Sequence, residues 1–138
     1  MQALIKITGT QTIDDQNDTV ELTTSGTYLP TEDGWQLCYD ESAATGMEGT
    51  TTTVHVKGDR IVMERSGENA SILVIEKHRR HHSHYITPYG TLDLGTYATA
   101  VERMLDEDGG TLELRYTLDF NGSVRSTHAV RITVRQQP

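Results

Sequence analysis

Polar and apolar residues alternate along most of the sequence, and the clearest case is its last quarter. Between residues 111 and 120 every second residue is apolar, which is the period of a strand with one buried face. Asn121-Gly122 follows, a pair that tolerates the positive φ angles of a tight turn. A second alternating segment returns over residues 124–134. The pattern therefore predicts a long antiparallel hairpin.

The alternation also assigns the two faces of this hairpin. Leu114 and Ile132 fall among the apolar positions and are predicted to lie in the core. Glu113 and Arg131 fall on the opposite face and are predicted to be exposed.

Shorter segments elsewhere follow the same rule. Strands are predicted at residues 5–7, 20–24, 35–39, 52–56, 61–65 and 92–96, with turns at residues 30–34, 58–59 and 106–110. The apolar run at residues 72–75 is ambiguous by itself but too short for a helix. No segment shows a sustained helical period, and residues 97–105, YATAVERML, are the best candidate for one or two helical turns.

These elements indicate an all-β protein. The 138 residues suit a single domain over residues 1–138, and the frequent β-branched threonines favour strands. About eight to ten antiparallel strands leave exposed edges unless the sheet closes on itself. We therefore predict a closed antiparallel β-barrel, with a β-sandwich as the alternative.

The overall charge limits the possible partners. A net charge of −8 opposes binding to duplex nucleic acid or to an anionic membrane, because the field of the whole molecule repels phosphate. Residues 1–9 do not resemble a signal peptide, and no apolar run is long enough for a membrane helix. Cys38 is the only cysteine, so no internal disulfide is possible. We expect a cytoplasmic protein without a cofactor.

A histidine-rich tract, EKHRRHHSHYITPYG, occupies residues 76–90. His82 and His84 would share one face of a strand and are the weak candidates for a metal site. A metal site requires three or four converging ligands, and no second motif supplies the others. A solvated turn and strand end on an acidic protein explains the tract without a ligand. We therefore predict no metal site there.

Polar residues on apolar faces are the better indication of a site. Arg65 follows Ile61 and Met63 on one face, His128 lies with Val124 and Val130, and Tyr116 lies with Leu114 and Leu118. A charged group inside a barrel is costly unless paired, solvated or bound to a ligand. Arg65 is therefore a candidate anchor for an acidic group. Alternatively, Arg65 ends its strand and meets water.

The order of several motifs resembles a known family. TTSGTY, TGMEGTTTTVHV, ERSG, HYITPYGTLDLG and GGTLELRYTLDFNG follow one another as in the YwiB-like family of small bacterial proteins, a domain-of-unknown-function group. The resemblance covers nearly the whole chain and implies a lipocalin- or streptavidin-like barrel in the cytoplasm. It implies no catalytic residues.

The sequence is compatible with three functions. The favoured one is a non-catalytic binding module for a small molecule or peptide. Its candidate ligand-binding residues are Arg65, Tyr85, Thr87, Tyr116 and His128. The second is a structural or interaction protein with a filled barrel. The third is a metal enzyme that uses His82 and His84.

Overall fold

The computed structural model describes residues 2–45, 47–67, 70–87, 89–120 and 124–137. The side chains of residues 85–87, 124 and 125 are also outside this description. The predicted turn at Asn121-Gly122 therefore lies outside the described residues, as do the side chains of Tyr85 and Thr87.

Ten strands account for nearly all of the described chain, and no α-helix occurs in it. The strands are β1 Gln2–Ile13, β2 Gln16–Thr31, β3 Gly34–Asp40, β4 Thr50–Lys57, β5 Arg60–Gly67, β6 Ser71–Glu76, β7 Arg80–Thr87, β8 Gly90–Asp106, β9 Gly109–Phe120 and β10 Val124–Gln136. A short 3-10 helix, Ala43–Thr45, follows β3. Nothing helical in the described residues has the length and apolar character that crossing a membrane requires.

The strands form one antiparallel sheet in the order β6-β5-β4-β3-β2-β1-β10-β9-β8-β7. The two edges of this sheet come together. In the turn that follows β6, the amide of His78 donates to the carbonyl of Ala98 on β8 at 2.8 Å. The hydroxyl of Thr96 on β8 also donates to the carbonyl of Val74 on β6, at 2.6 Å. One continuous sheet whose edges meet is a nearly closed barrel and not a sandwich, which confirms the predicted barrel.

The apolar side chains on the inward face of each strand fill the interior of the barrel. The largest fully buried aliphatic side chains come from strands around the whole barrel and include Ile5, Leu37, Ile61, Leu112 and Ile132.

The long hairpin has the predicted faces. Leu114 is 1% exposed, whereas the side chains of Glu113 and Arg131 are 46% and 63% exposed.

The predicted helix at residues 97–105 is wrong. These residues belong to β8, which pairs with β9 from Leu94 to Asp106 with a bulge between Ala98 and Ala100. Alanine, glutamate, methionine and leucine favour a helix in isolation, but pairing with β9 overrides this preference. The ambiguous run at residues 72–75 belongs to β6 and pairs with β5.

Candidate functional site

Arg65 lies inside one end of the barrel. It pairs with Thr52 on β4 and Ser71 on β6 without a bulge, so it keeps the inward side that it shares with Ile61 and Met63. Thr52 in turn pairs with Tyr39 on β3. Tyr39, Thr52 and Arg65 therefore form one row across three strands. No bulge interrupts the pairing at Arg65 and β5 continues to Gly67, so Arg65 does not end its strand, although the residue is only half-buried.

A second row faces Arg65 from the other wall. Tyr116 pairs with His128, His128 with Gln11, and Gln11 with Asp18, across β9, β10, β1 and β2. The rings of Tyr116 and His128 are stacked, with centroids 5.0 Å apart and planes 8° from parallel. His128 Nε2 lies 2.8 Å from Ser126 Oγ.

Between the two rows lies a cavity of about 220 Å³ that opens to solvent. Its walls include Arg65, Tyr39, Tyr116, His128 and Asp18, and apolar side chains such as Met47, Met63 and Val130 complete them. The structure thus brings together three predicted site residues, Arg65, Tyr116 and His128. Tyr85 and Thr87 cannot be placed relative to them, because their side chains lie outside the described residues.

The aromatic groups around Arg65 are neutral at pH 7. Burial, opposed by Arg65, raises the pKa of the Tyr116 phenol. Burial and, to a smaller degree, Arg65 lower the pKa of His128 to about 4. Burial and then the Glu41 carboxylate raise the pKa of Tyr39, against the effect of Arg65. None of these three side chains compensates the charge of the guanidinium.

Arg65 is also incompletely bonded. Its Nε is buried and has no hydrogen-bond partner among the described residues, where it is the only buried side-chain nitrogen or oxygen in that state. Arg65 also takes part in none of the ion pairs within 4.0 Å that the described side chains form. A buried donor without an acceptor costs about 1–3 kcal/mol, and more when it is charged.

The sequence matches the family described as Domain of unknown function (DUF1934) over residues 5–132. The chain belongs to this family. A solved structure, the crystal structure of the ywiB protein from Bacillus subtilis, is similar with a TM-score of 0.87. The two chains are 20% identical, and the match covers 99% of this chain and 92% of that one. No curated protein matches the sequence significantly.

Membership of DUF1934 confirms the YwiB-like resemblance, and the structural match supports the barrel. At 20% identity the match shows the fold alone. The candidate site in this DUF1934 barrel therefore rests on the geometry of its own residues.

The sequence pattern did not identify Tyr39 and Glu41 as site residues. Leu37, Tyr39 and Glu41 continue one alternating face, and Glu41 is only 8% exposed although it follows the last residue of β3. Continuing the alternation by one inward position beyond Tyr39 would have predicted that Glu41 faces the interior. Glu41 was not recognised in this way, because a glutamate between Asp40 and Ser42 is typical of a turn.

The described part of the histidine-rich tract lies at the seam of the barrel, where His82 and His84 are exposed and His81 is half-buried. Lys77 to Arg79 are exposed and form the turn, as predicted, but His81, His82 and His84 belong to β7. His81 Nε2 is 2.9 Å from Glu76 Oε1, and His82 Nδ1 is 3.7 Å from Asp93 Oδ1. Within the described ranges, no three histidine, cysteine, aspartate or glutamate side chains converge as a metal site would require.

Arg80 in the same tract has a structural partner. Its Nη2 lies 2.7 Å from Asp119 Oδ2. A Cβ at Gly95 would collide with both groups, so glycine leaves the space for this ion pair on the outside of the barrel. This arginine is paired, in contrast to Arg65.

A depression of about 350 Å³ lies at the opposite end, against Pro30 and Trp35. The acidic side chains beside it, Glu107 and Asp108, are exposed. It is larger than the Arg65 cavity, but its described lining residues include no buried charged side chain and no buried side-chain nitrogen or oxygen without a partner, so it is a weaker candidate.

Proposed function

We propose that this barrel is a non-catalytic binding module for a small acidic molecule held at Arg65. The observation that carries the proposal is Arg65, whose side chain lines an open cavity and whose buried Nε has no acceptor among the described residues. A carboxylate or phosphate would supply the acceptor and the charge together. Guanidinium binds such groups through two parallel hydrogen bonds.

The size of the cavity favours a small molecule over a peptide. Its volume of about 220 Å³ is below the range of about 300–1,000 Å³ that is typical for drug-sized ligands. The neutral phenols and the stacked Tyr116–His128 pair give an apolar surface with a few polar atoms, which is the usual composition of such sites. A metabolite-sized acid fits this arrangement.

A cytoplasmic location without a cofactor remains part of the proposal. The net charge of −8 argues against duplex nucleic acid and anionic membranes as partners. A small acid would reach the site against that overall field only because Arg65 provides a local positive charge.

A thermal-shift screen of small carboxylic acids and phosphate esters tests the proposal. The variants are Arg65→Lys, Arg65→Met and the control Arg115→Met, which removes an exposed arginine from the outer face of β9. At least one acid should raise the melting temperature of wild type and Arg115→Met by several degrees. Binding should weaken at least tenfold in Arg65→Lys, which cannot reproduce the bidentate contact, and vanish in Arg65→Met.

The unliganded variants separate binding from a structural role. Arg65→Met should melt at the wild-type temperature or above it, because it removes a buried unpaired donor. The proposal is wrong if no carboxylic acid, amino acids included, and no phosphate ester stabilises wild type, or if these compounds stabilise Arg65→Met equally.

A further inference from the structure

Glu41 places a carboxylate beside the same cavity. Its backbone amide donates to the carbonyl of Thr50 at 2.8 Å, which extends the β3–β4 pairing by one residue and keeps the side chain inward. The residue is 8% exposed and lines the cavity. Glu41 is therefore a buried acidic group and not part of a solvated turn.

The hydrogen-bond partners of Glu41 are neutral. Thr45 Oγ1 donates to Oε2 at 2.9 Å, Thr52 Oγ1 lies 3.3 Å from Oε1, and the Tyr39 hydroxyl also hydrogen-bonds to the carboxylate. A carboxylate has about four acceptor positions, so capacity remains on these oxygens. None of the ion pairs among the described side chains includes Glu41. A cation that reached this carboxylate would add an ion pair to these neutral contacts.

Arg65 is not that cation. The two residues line one cavity, but no nitrogen of Arg65 comes within 4.0 Å of a Glu41 oxygen. Tyr39 and Arg65 are separated by one intervening strand, which sets their backbones roughly 10 Å apart. Glu41 lies two residues beyond Tyr39. The Glu41 carboxylate contacts Thr52, the cross-strand neighbour of Arg65, so the two opposite charges line the same side of the cavity without forming an ion pair.

We propose that the ligand is a small zwitterion of the amino-acid type, whose carboxylate binds Arg65 and whose ammonium group binds Glu41. This rests on the proposed function, which requires only the acidic group. Asp18, on the rim of the cavity, adds a second carboxylate to the lining. A simple acid at Arg65 would meet the repulsion of Glu41 and Asp18, whereas a zwitterion turns the Glu41 charge into an attraction.

Matched pairs of compounds test this class. Leucine is compared with 4-methylpentanoate, and 5-aminopentanoate with pentanoate, by calorimetric titration of the intact protein. Within each pair only the amine differs. At least one zwitterion should bind wild type at least tenfold more tightly than its matched acid. Glu41→Gln, which keeps the shape of the side chain, should abolish that preference while the acid binds as well as before or better.

The outcomes distinguish this inference from the proposed function. If the acids bind wild type as tightly as the zwitterions, through Arg65, the zwitterion inference is wrong and the acid-binding function stands. If none of these compounds and no acid of the thermal-shift screen binds, both are wrong. If Glu41→Gln does not fold, as judged by circular dichroism, the comparison of pairs on wild type still decides the question.

Discussion

Two aromatic pairs, one at each end of the barrel, have similar geometry and different surroundings. Tyr28 stacks on Trp35 with centroids 4.8 Å apart and an interplanar angle of 12°. Tyr116 stacks on His128 at 5.0 Å and 8°. Tyr28 and the cavity residue Asp18 are ten positions apart on β2, about 33 Å of extended strand. The two pairs therefore belong to separate parts of the interior.

The polar atoms of the two pairs differ. The Tyr28 hydroxyl donates to the carbonyl of Asp106 at 2.7 Å, and this contact ties β2 to the end of β8. The Tyr116 hydroxyl has no hydrogen bond to a described residue and adjoins the unpaired Arg65. The Tyr28 hydroxyl is hydrogen-bonded within the protein, whereas the Tyr116 hydroxyl and Arg65 Nε have no partner among the described residues. We infer that the Tyr28 end of the barrel contributes to stability and that the Arg65 end is available for a ligand.

The largest effect is expected from the packed interior that both ends share. Leu114→Ala should lower the free energy of unfolding by about 2–5 kcal/mol, because it leaves a cavity in a fully buried layer. Glu113→Ala, one residue away on the outer face, should change it by less than about 0.5 kcal/mol. Urea unfolding of both variants measures the difference. Equal effects would mean that the faces of β9 are assigned incorrectly.

A smaller effect separates the two tyrosines. Tyr28→Phe removes the hydrogen bond to Asp106 and should cost about 1 kcal/mol of stability. Tyr116→Phe should cost less than about 0.5 kcal/mol, because it removes no hydrogen bond to a described residue, but it should alter ligand affinity. Urea unfolding and calorimetric titration of the two variants give both quantities. A larger stability loss for Tyr116→Phe would contradict the distinction between the two ends.

The smallest effect concerns pH. The pKa of His128 is about 4 in the folded protein, below its ordinary value of 6.5, so the unfolded chain binds a proton more readily. The contribution of the neutral His128 side chain to folding stability is complete above pH 6.5 and is lost as the pH falls towards 4. Between pH 7 and pH 5 this histidine should reduce the free energy of unfolding by less than about 1 kcal/mol, since its partial exposure weakens the effect.

Two variants isolate this contribution. His128→Gln should make the change in stability between pH 7 and pH 5 smaller than in wild type. His82→Gln removes an exposed histidine from β7 and should leave the change as it is. If both variants behave like wild type in urea unfolding at the two pH values, His128 is not held neutral by burial.

The sequence predicted the strands far better than the site. Alternation between residues 111 and 134 was enough to assign the faces of the long hairpin, because the period of a strand is a local property. Residues 97–105 were predicted incorrectly for the same reason. Their local preference is helical, and only pairing with β9 makes them a strand. Long-range pairing is not visible in a local pattern.

The site depends on neighbours that are distant in sequence. Arg65 and His128 could each be recognised from the sequence as polar residues on apolar faces. That both face one cavity could not be predicted. Their approach follows from the order of ten strands and the closure of the sheet. Glu41 was missed because it follows the last apolar residue of β3, where alternation no longer distinguishes an inward position from a turn.

The most direct test of the acid-binding claim is the NMR resonance of the Arg65 Nε–H group, identified by its absence in Arg65→Lys. Titration with the acids and zwitterions described above should shift this resonance saturably, with the same dissociation constant as calorimetry, because the group gains its missing acceptor. The resonance of the exposed Arg115 should stay in place. An Arg65 resonance that no compound moves, or that stays unchanged while a compound saturates the protein elsewhere, would contradict the account.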